Sequence, residues 1–170
     1  VTALDAITTG DGNVAIGYGA LSTEDGHGHN VAIGKFALFS QDAGNDVYNV
    51  AVGSSAGAQI TTATGNALIG GRAGESLTTG SSNVALGYLA LFSEDTGRKN
   101  VAIGMKALNA QNNDADNYNV AVGYEAGKNV TTGTQNTLIG GLAGDAITTG
   151  KRIVAIGYNA LSAETDFFFF

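Results

Sequence analysis

The sequence predicts an all-β fold, a repetitive β-solenoid or β-roll with nine rungs of roughly 17–19 residues each. The main observation is a short phrase, Asn-Val-Ala-Ile-Gly, that returns along the whole chain. A period this short and regular indicates a repeat architecture. The second observation is composition: 26 glycines without any proline or cysteine suit many tight turns and no disulfide framework. The nine copies start at Asn13, Asn30, Asn49, Asn66, Asn83, Asn100, Asn119, Asn136 and Ile153, with successive spacings of 17, 19, 17, 17, 17, 19, 17 and 17.

The rungs are grouped in cassettes of four, because the series of spacings that starts at Asn13 starts again at Asn83. Residues 1–166 therefore form a single repetitive domain with cassettes at 3–72 and 73–142 and a partial cassette at 143–166. The Phe-rich end at 167–170 is foreign to the repeat. We number the rungs 1 to 9 and, within each rung, count the leading Asn as position zero.

Each rung is expected to begin with a short strand. Position three is always a branched apolar residue, and position one is Val in seven rungs, so period-two alternation predicts that these two positions share a face toward the core. Position two is never polar: it is Ala in seven rungs and Leu at Leu68 and Leu138. We expect that face to contact another chain or a second layer of the same coil, so that both faces of the strand are covered.

The second half of each rung comes in two kinds. Rungs that read Ala-Leu place one large apolar residue at position eight and a Glu or Gln at position eleven, whereas rungs that read Ala-Gly place Gly at eight and the large residue at eleven. Each rung thus keeps one apolar anchor. The leading Asn has two interpretations, an amide ladder along the stack or a turn residue in the left-handed region.

Composition excludes several functional classes. The net charge of -7, with no basic cluster larger than Arg98-Lys99 or Lys151-Arg152, disfavours nucleic-acid binding. No apolar run approaches the roughly 20 residues of a membrane helix, so membrane insertion is not expected. No catalytic constellation is visible, and Glu24, Glu94 and Glu164 recur at position eleven as an architectural feature. We therefore predict no enzyme, no catalytic residue and no cofactor.

Two groups of residues are candidate ligands for a structural cation, although no metal site is predicted. His27 and His29 form a His-Gly-His triplet, and imidazole is a common metal ligand. The acidic insertions in rungs 2 and 6 offer oxygen ligands from Asp42, Asp46, Asp114 and Asp116. The favoured interpretation of both groups is a solvated loop.

The phrases NVAIGYGAL, NVAIGKFAL, NVALGYLALFSEDTG and NVAIGYNALSAETD resemble repeats of bacteriophage tail-fibre proteins and related bacterial fibres. They are more distantly similar to the coils of trimeric autotransporter adhesin heads. The resemblance covers residues 7–166 and implies a homotrimeric fibre, intertwined or side by side, on a virion or cell surface. It also implies adjoining fibre segments and a host-surface glycan or protein receptor as partners.

We accordingly expect a structural fibre segment that displays surfaces for attachment to a host or partner cell. The alternative is a monomeric solenoid that binds an extended ligand, such as ice or a glycan, through its Thr pairs. Those pairs are Thr8-Thr9, Thr61-Thr62, Thr78-Thr79, Thr131-Thr132 and Thr148-Thr149, and they are missing from the Ala-Leu rungs. Recurrent tyrosines at position five, namely Tyr18, Tyr88, Tyr124 and Tyr158, could pack on a neighbour or stack on sugar.

Overall fold

The computed structural model describes residues 3–6, 9–24, 26 and 28–163 and confirms an all-β solenoid of about eight turns. One three-residue strand opens each rung, and the described residues contain no helix. The strands are β1 (Val14–Ile16), β2 (Val31–Ile33), β3 (Val50–Val52), β4 (Ala67–Ile69), β5 (Val84–Leu86), β6 (Val101–Ile103), β7 (Val120–Val122), β8 (Thr137–Ile139) and β9 (Val154–Ile156). They form one parallel sheet in chain order.

The strands stack position for position along the whole sheet. Val14 pairs with Val31 and Val31 pairs with Val50, although the second step contains two more residues than the first. The extra residues are taken up outside the strands, in the loops around 42–46 and 112–116. An insertion can therefore lengthen a rung without shifting the register of the sheet.

The orientation of the strands differs from the sequence prediction. Position two, not positions one and three, points into the solenoid: Ala85 is fully buried, whereas Val84 and Leu86 are 37% and 43% exposed. The alternation itself is as expected, but the larger residues lie outside. The reason is that the interior is narrow, and the anchor from the second half of each rung already fills most of it. The strand's inner face has room only for Ala in most rungs, and of the two predicted coverings it is the same coil that covers position two.

Rungs 4 and 8 show how closely this interior is filled. Leu68 replaces the usual Ala at position two and is fully buried. A Cβ added to Gly57 would lie 2.8 Å from Leu68 Cδ1, and one added to Gly74 would lie 2.9 Å from Leu68 Cδ2. Leu68 thus occupies the space that two glycines at position eight leave open. Leu138 has the same relation to Gly127 and Gly144.

The predicted exchange of anchors between positions eight and eleven is confirmed. Leu21, Leu38, Leu91 and Leu108 at position eight are fully buried, as are Ile60, Leu77, Val130 and Ile147 at position eleven. Position eight adopts a positive φ in both kinds of rung, 47° at Leu38 and 58° at Gly57. This left-handed conformation is easy for Gly and costs energy for Leu. Burial of the leucine side chain, about 1.5 to 3 kcal/mol, offsets that cost.

The leading Asn residues form a ladder of hydrogen bonds through the buried interior. The Asn83 side chain accepts a bond at Oδ1 from the Asn100 backbone N–H, at 3.0 Å, and donates from Nδ2 to the Gly97 carbonyl, also at 3.0 Å. The same Oδ1 bond links each rung to the next from Asn13 to Ile153. None of these Asn residues has a positive φ. The ladder interpretation is correct, with backbone N–H groups as donors at every step and the side-chain amides of Asn30 and Asn66 as additional donors.

We expect Asn83→Ala to lower the free energy of unfolding by roughly 2 to 5 kcal/mol, because it leaves the Asn100 N–H and the Gly97 carbonyl buried and unpaired. Asn129→Ala is the matched control, since its Nδ2 donates to the Asp145 carbonyl at an exposed position. Denaturant titration of both variants measures the difference. Equal losses for the two variants would contradict a structural role for the ladder.

Candidate functional site

The most distinctive surface of the molecule is the outer face of the sheet, which we call the apolar ribbon. It consists of positions one and three of all nine strands, and sixteen of these eighteen residues are Val, Ile or Leu. The exceptions are Ala67 and Thr137. Every one of the eighteen is half-buried or exposed, and none is buried.

The ribbon is continuous because the rungs are in register. Three-residue strands at about 3.3 Å per residue, stacked about 4.8 Å apart, give a flat strip roughly 10 Å wide and 40 Å long. This area of roughly 400 Å² is comparable to the largest apolar patch of an ordinary soluble monomer, and such patches are often functional. The ribbon is the candidate functional site on these grounds.

The tyrosines predicted at position five lie next to the ribbon in sequence and are exposed, from 49% for Tyr88 to 80% for Tyr158. Part of the Tyr88 ring lies close to Gly71, where an added Cβ would be 3.4 Å from Tyr88 Cδ2. The Tyr18 and Phe36 rings form a T-shaped pair at a centroid distance of 5.4 Å. These tyrosines thus pack partly on neighbouring rungs and leave much of each ring exposed.

The recurrent glutamates at position eleven lie inside the coil. Glu24 and Glu94 are both fully buried. Glu94 accepts hydrogen bonds from the Gly97 N–H at 2.9 Å and from Asn117 Nδ2 at 3.1 Å, and burial raises the pKa of its carboxyl. In cassette 1 the Glu24 carboxylate accepts a bond from Gln41 Nε2 at 3.2 Å. These carboxylates organise the interior, and Glu164 lies outside the described residues.

The structure brings two of the candidate cation ligands, His29 and Asp46, close together. His29 stacks on Tyr48 with ring centroids 5.0 Å apart, and its Nε2 lies 3.6 Å from Asp46 Oδ2. Asp116 pairs with Lys99 at 2.6 Å, and that hydrogen bond lowers the pKa of its carboxyl. Asp42 and Asp114 are exposed, and His27 falls outside the described residues. Nowhere in the described ranges do three His, Asp or Glu side chains form a group that could hold a metal ion.

The threonine pairs take part in the stacking of the rungs. The first hydroxyl of three pairs is engaged within the stack: Thr61 Oγ1 donates to the Thr78 carbonyl, Thr78 Oγ1 to the Asp95 carbonyl and Thr131 Oγ1 to the Thr148 carbonyl, each at 3.2 Å. These hydroxyls connect successive rungs. Thr8 lies outside the described residues.

Comparisons of the chain with protein-family models, curated proteins and solved structures each found no match. Over the residues that the structure describes, no helix has the length and apolar character needed to cross a membrane. The alternation of the strand residues predicts that the ribbon residues lie in the core, so this pattern does not identify the ribbon. The sequence signal for the ribbon is the large apolar anchor at position eight or eleven of each rung. This anchor leaves no room inside the coil for a second large residue from the strand.

Proposed function

We propose that the chain is a structural segment of a homotrimeric fibre, in which three solenoids lie side by side with their apolar ribbons facing a common axis. The observation that carries the proposal is the ribbon, an apolar strip that runs the length of the described stack. Covering it removes apolar surface from water, which stabilises association by about 25 cal/mol per Å².

A second copy of the chain is the partner that matches this surface best. The ribbon repeats every rung, so another ribbon has the same period, length and chemistry along its full extent. Two ribbons of roughly 400 Å² face to face would bury about 800 Å², below the roughly 1,200 to 2,000 Å² of stable interfaces. Each chain covers one ribbon of roughly 400 Å² in a dimer and in a trimer alike, so the flanks of the solenoids must add contact area in either case. The resemblance to trimeric fibre repeats is what favours three copies over two.

The mechanism of such a segment is mechanical. Backbone bonds, the Asn ladder and the buried anchors link every rung to the next, so the coil is rigid along its axis and can hold adjoining segments apart. The loops at 42–46 and 112–116 extend from the rungs and would be displayed along the fibre. The resemblance to tail-fibre repeats supports a place on a virion or cell surface, with attachment to a host or partner cell as the role.

The proposal predicts a solution mass of about three times the 17.1 kDa of one chain. Light scattering coupled to size-exclusion chromatography measures this mass directly, because it does not depend on molecular shape. A monodisperse species of 17.1 kDa would contradict the proposal and favour a monomeric ligand-binding solenoid.

A further inference from the structure

One edge of the solenoid carries an unusual concentration of positive charge, which we call the basic edge. It consists of Arg98 and Lys99 just before rung 6 and Lys151 and Arg152 just before rung 9, all exposed. These four residues are half of the eight cations in a chain whose net charge is -7. The charge is confined to one end of this edge, since the corresponding residues before rungs 1 and 2 are Asp11, Gly12, Gly28 and His29.

The other cations have partners of their own. Arg72 pairs with Glu75, and both Lys106 and Lys128 approach Glu125. Lys35 lies over the Phe36 ring at 5.1 Å. Of the four cations on the basic edge, Arg98 and Lys99 have one carboxylate between them: Asp116 lies 3.8 Å from Arg98 and 2.6 Å from Lys99.

Lys151 and Arg152 make no ion pair with any residue that the structure describes. Two cations at one place attract an anion, because no carboxylate in the described part of the chain neutralises them.

The two cationic pairs are joined by an aromatic ring and an amide. Tyr118 before rung 7 and Gln135 before rung 8 occupy the same position as Lys99 and Arg152, and both are exposed. Lys99 Nζ lies 5.0 Å from the centre of the Tyr118 ring and 3.0 Å from its hydroxyl. In four consecutive rungs the edge therefore presents a cation, an aromatic ring, an amide and a cation. At about 4.8 Å per rung, the two cations are roughly 14 Å apart.

We propose that the basic edge binds a linear polysaccharide that carries carboxylate groups and lies along the solenoid axis. Arg and Lys bind carboxylates through charge-assisted hydrogen bonds. The exposed Tyr118 ring offers an apolar face to a sugar ring, and the Gln135 amide both donates to and accepts from hydroxyl groups. The proposal rests on the attachment role proposed above and gives that role a site and a ligand class.

Two other anionic partners fit the edge less well. Nucleic-acid binding is driven by many phosphate contacts, and a chain of net charge -7 with four cations on this edge opposes it. An anionic membrane is a broad surface, whereas the basic edge is a narrow strip. A polysaccharide that presents both sugar rings and carboxylates matches the cations, the aromatic ring and the amide of this edge.

The test is titration calorimetry with hexagalacturonate, which has one carboxylate per sugar, and with a neutral α-1,4-glucan of the same length. We expect hexagalacturonate to bind and the glucan not to bind. Lys151→Ser combined with Arg152→Ser should weaken binding by about tenfold or more, and Tyr118→Ala by about fivefold, because charged and stacking contacts are lost. Added salt should weaken binding by the wild type.

The matched control is Lys35→Ser combined with Lys106→Ser, which removes the same charge from positions five and six of other rungs and should leave the affinity within about twofold of wild type. An absence of binding, equal binding of the neutral glucan, an equal loss in the control, or tighter binding of DNA or phosphatidylserine vesicles would overturn the proposal. Light scattering on the same samples keeps the two proposals separate. A monomer that binds the acidic sugar contradicts the fibre alone, and a trimer that does not bind contradicts the basic edge alone.

Discussion

Ala85→Asp is expected to unfold the middle of the solenoid, with a loss of roughly 3 to 5 kcal/mol in the free energy of unfolding. Ala85 is fully buried on the inner face of β5, between Leu68 of β4 and Ala102 of β6. A carboxylate there lies among apolar side chains and must leave water. Denaturant titration followed by circular dichroism measures the loss.

The matched control is Leu89→Asp, four residues away at position six. Leu89 is half-buried and adopts a φ of 57°, a left-handed conformation that Asp tolerates better than Leu. We expect the free energy of unfolding of this variant to lie within about 1 kcal/mol of the wild-type value. If Ala85→Asp were as stable as Leu89→Asp, Ala85 could not face the interior of the solenoid.

Gly87→Ala is expected to lower the free energy of unfolding by roughly 3 to 6 kcal/mol, because it combines backbone strain with a steric clash. Gly87 follows β5 at position four with a φ of 141°, which residues with a Cβ rarely adopt. An added Cβ would lie 2.5 Å from the Gly104 carbonyl oxygen of the next rung. The stacking of rungs 5 and 6 would have to open to accommodate it, and thermal melting would show the change.

Gly65→Ala separates these two causes. Gly65 has a φ of 66°, but an added Cβ would meet nothing within 4 Å. Gly65→Ala should lower the free energy of unfolding only by the cost of placing Ala in a left-handed backbone conformation, about 1 to 2 kcal/mol. A Gly65→Ala variant as unstable as Gly87→Ala would show that close contact between rungs contributes nothing at position four.

Much of the fold follows from the repeat alone. The spacing of the Asn residues predicts nine strands in chain order, and the exchange of Leu38 for Ile60 as anchor predicts that each rung keeps one large buried residue. The Gly at position four is also explained, because nothing larger fits under the next rung. These features depend on local conformation and on contacts between neighbouring rungs, which a periodic sequence encodes directly.

The face of the strand was predicted wrongly because alternation identifies two faces but does not say which is inside. Val84 and Leu86 are larger and more apolar than Ala85, and an ordinary core would take the larger pair. Which face of the strand lies inside depends on the width of the coil. That width is determined by how closely the second half of each rung approaches the strand. That distance is a property of the complete turn, so neither the ribbon nor the basic edge could be located from the strand residues alone.

The mass of a variant with charges on the ribbon tests the central claim most directly. Val84→Asp combined with Leu86→Asp places two carboxylates on the outer face of β5, where a single solenoid tolerates them because both positions contact water. In a trimer, six carboxylates would meet near one axis and prevent association. We predict wild-type circular dichroism and a mass of 17.1 kDa by light scattering, against about three times that value for the wild type. A variant that keeps the wild-type trimeric mass would contradict the account, because the ribbon could not then be the surface that joins the chains.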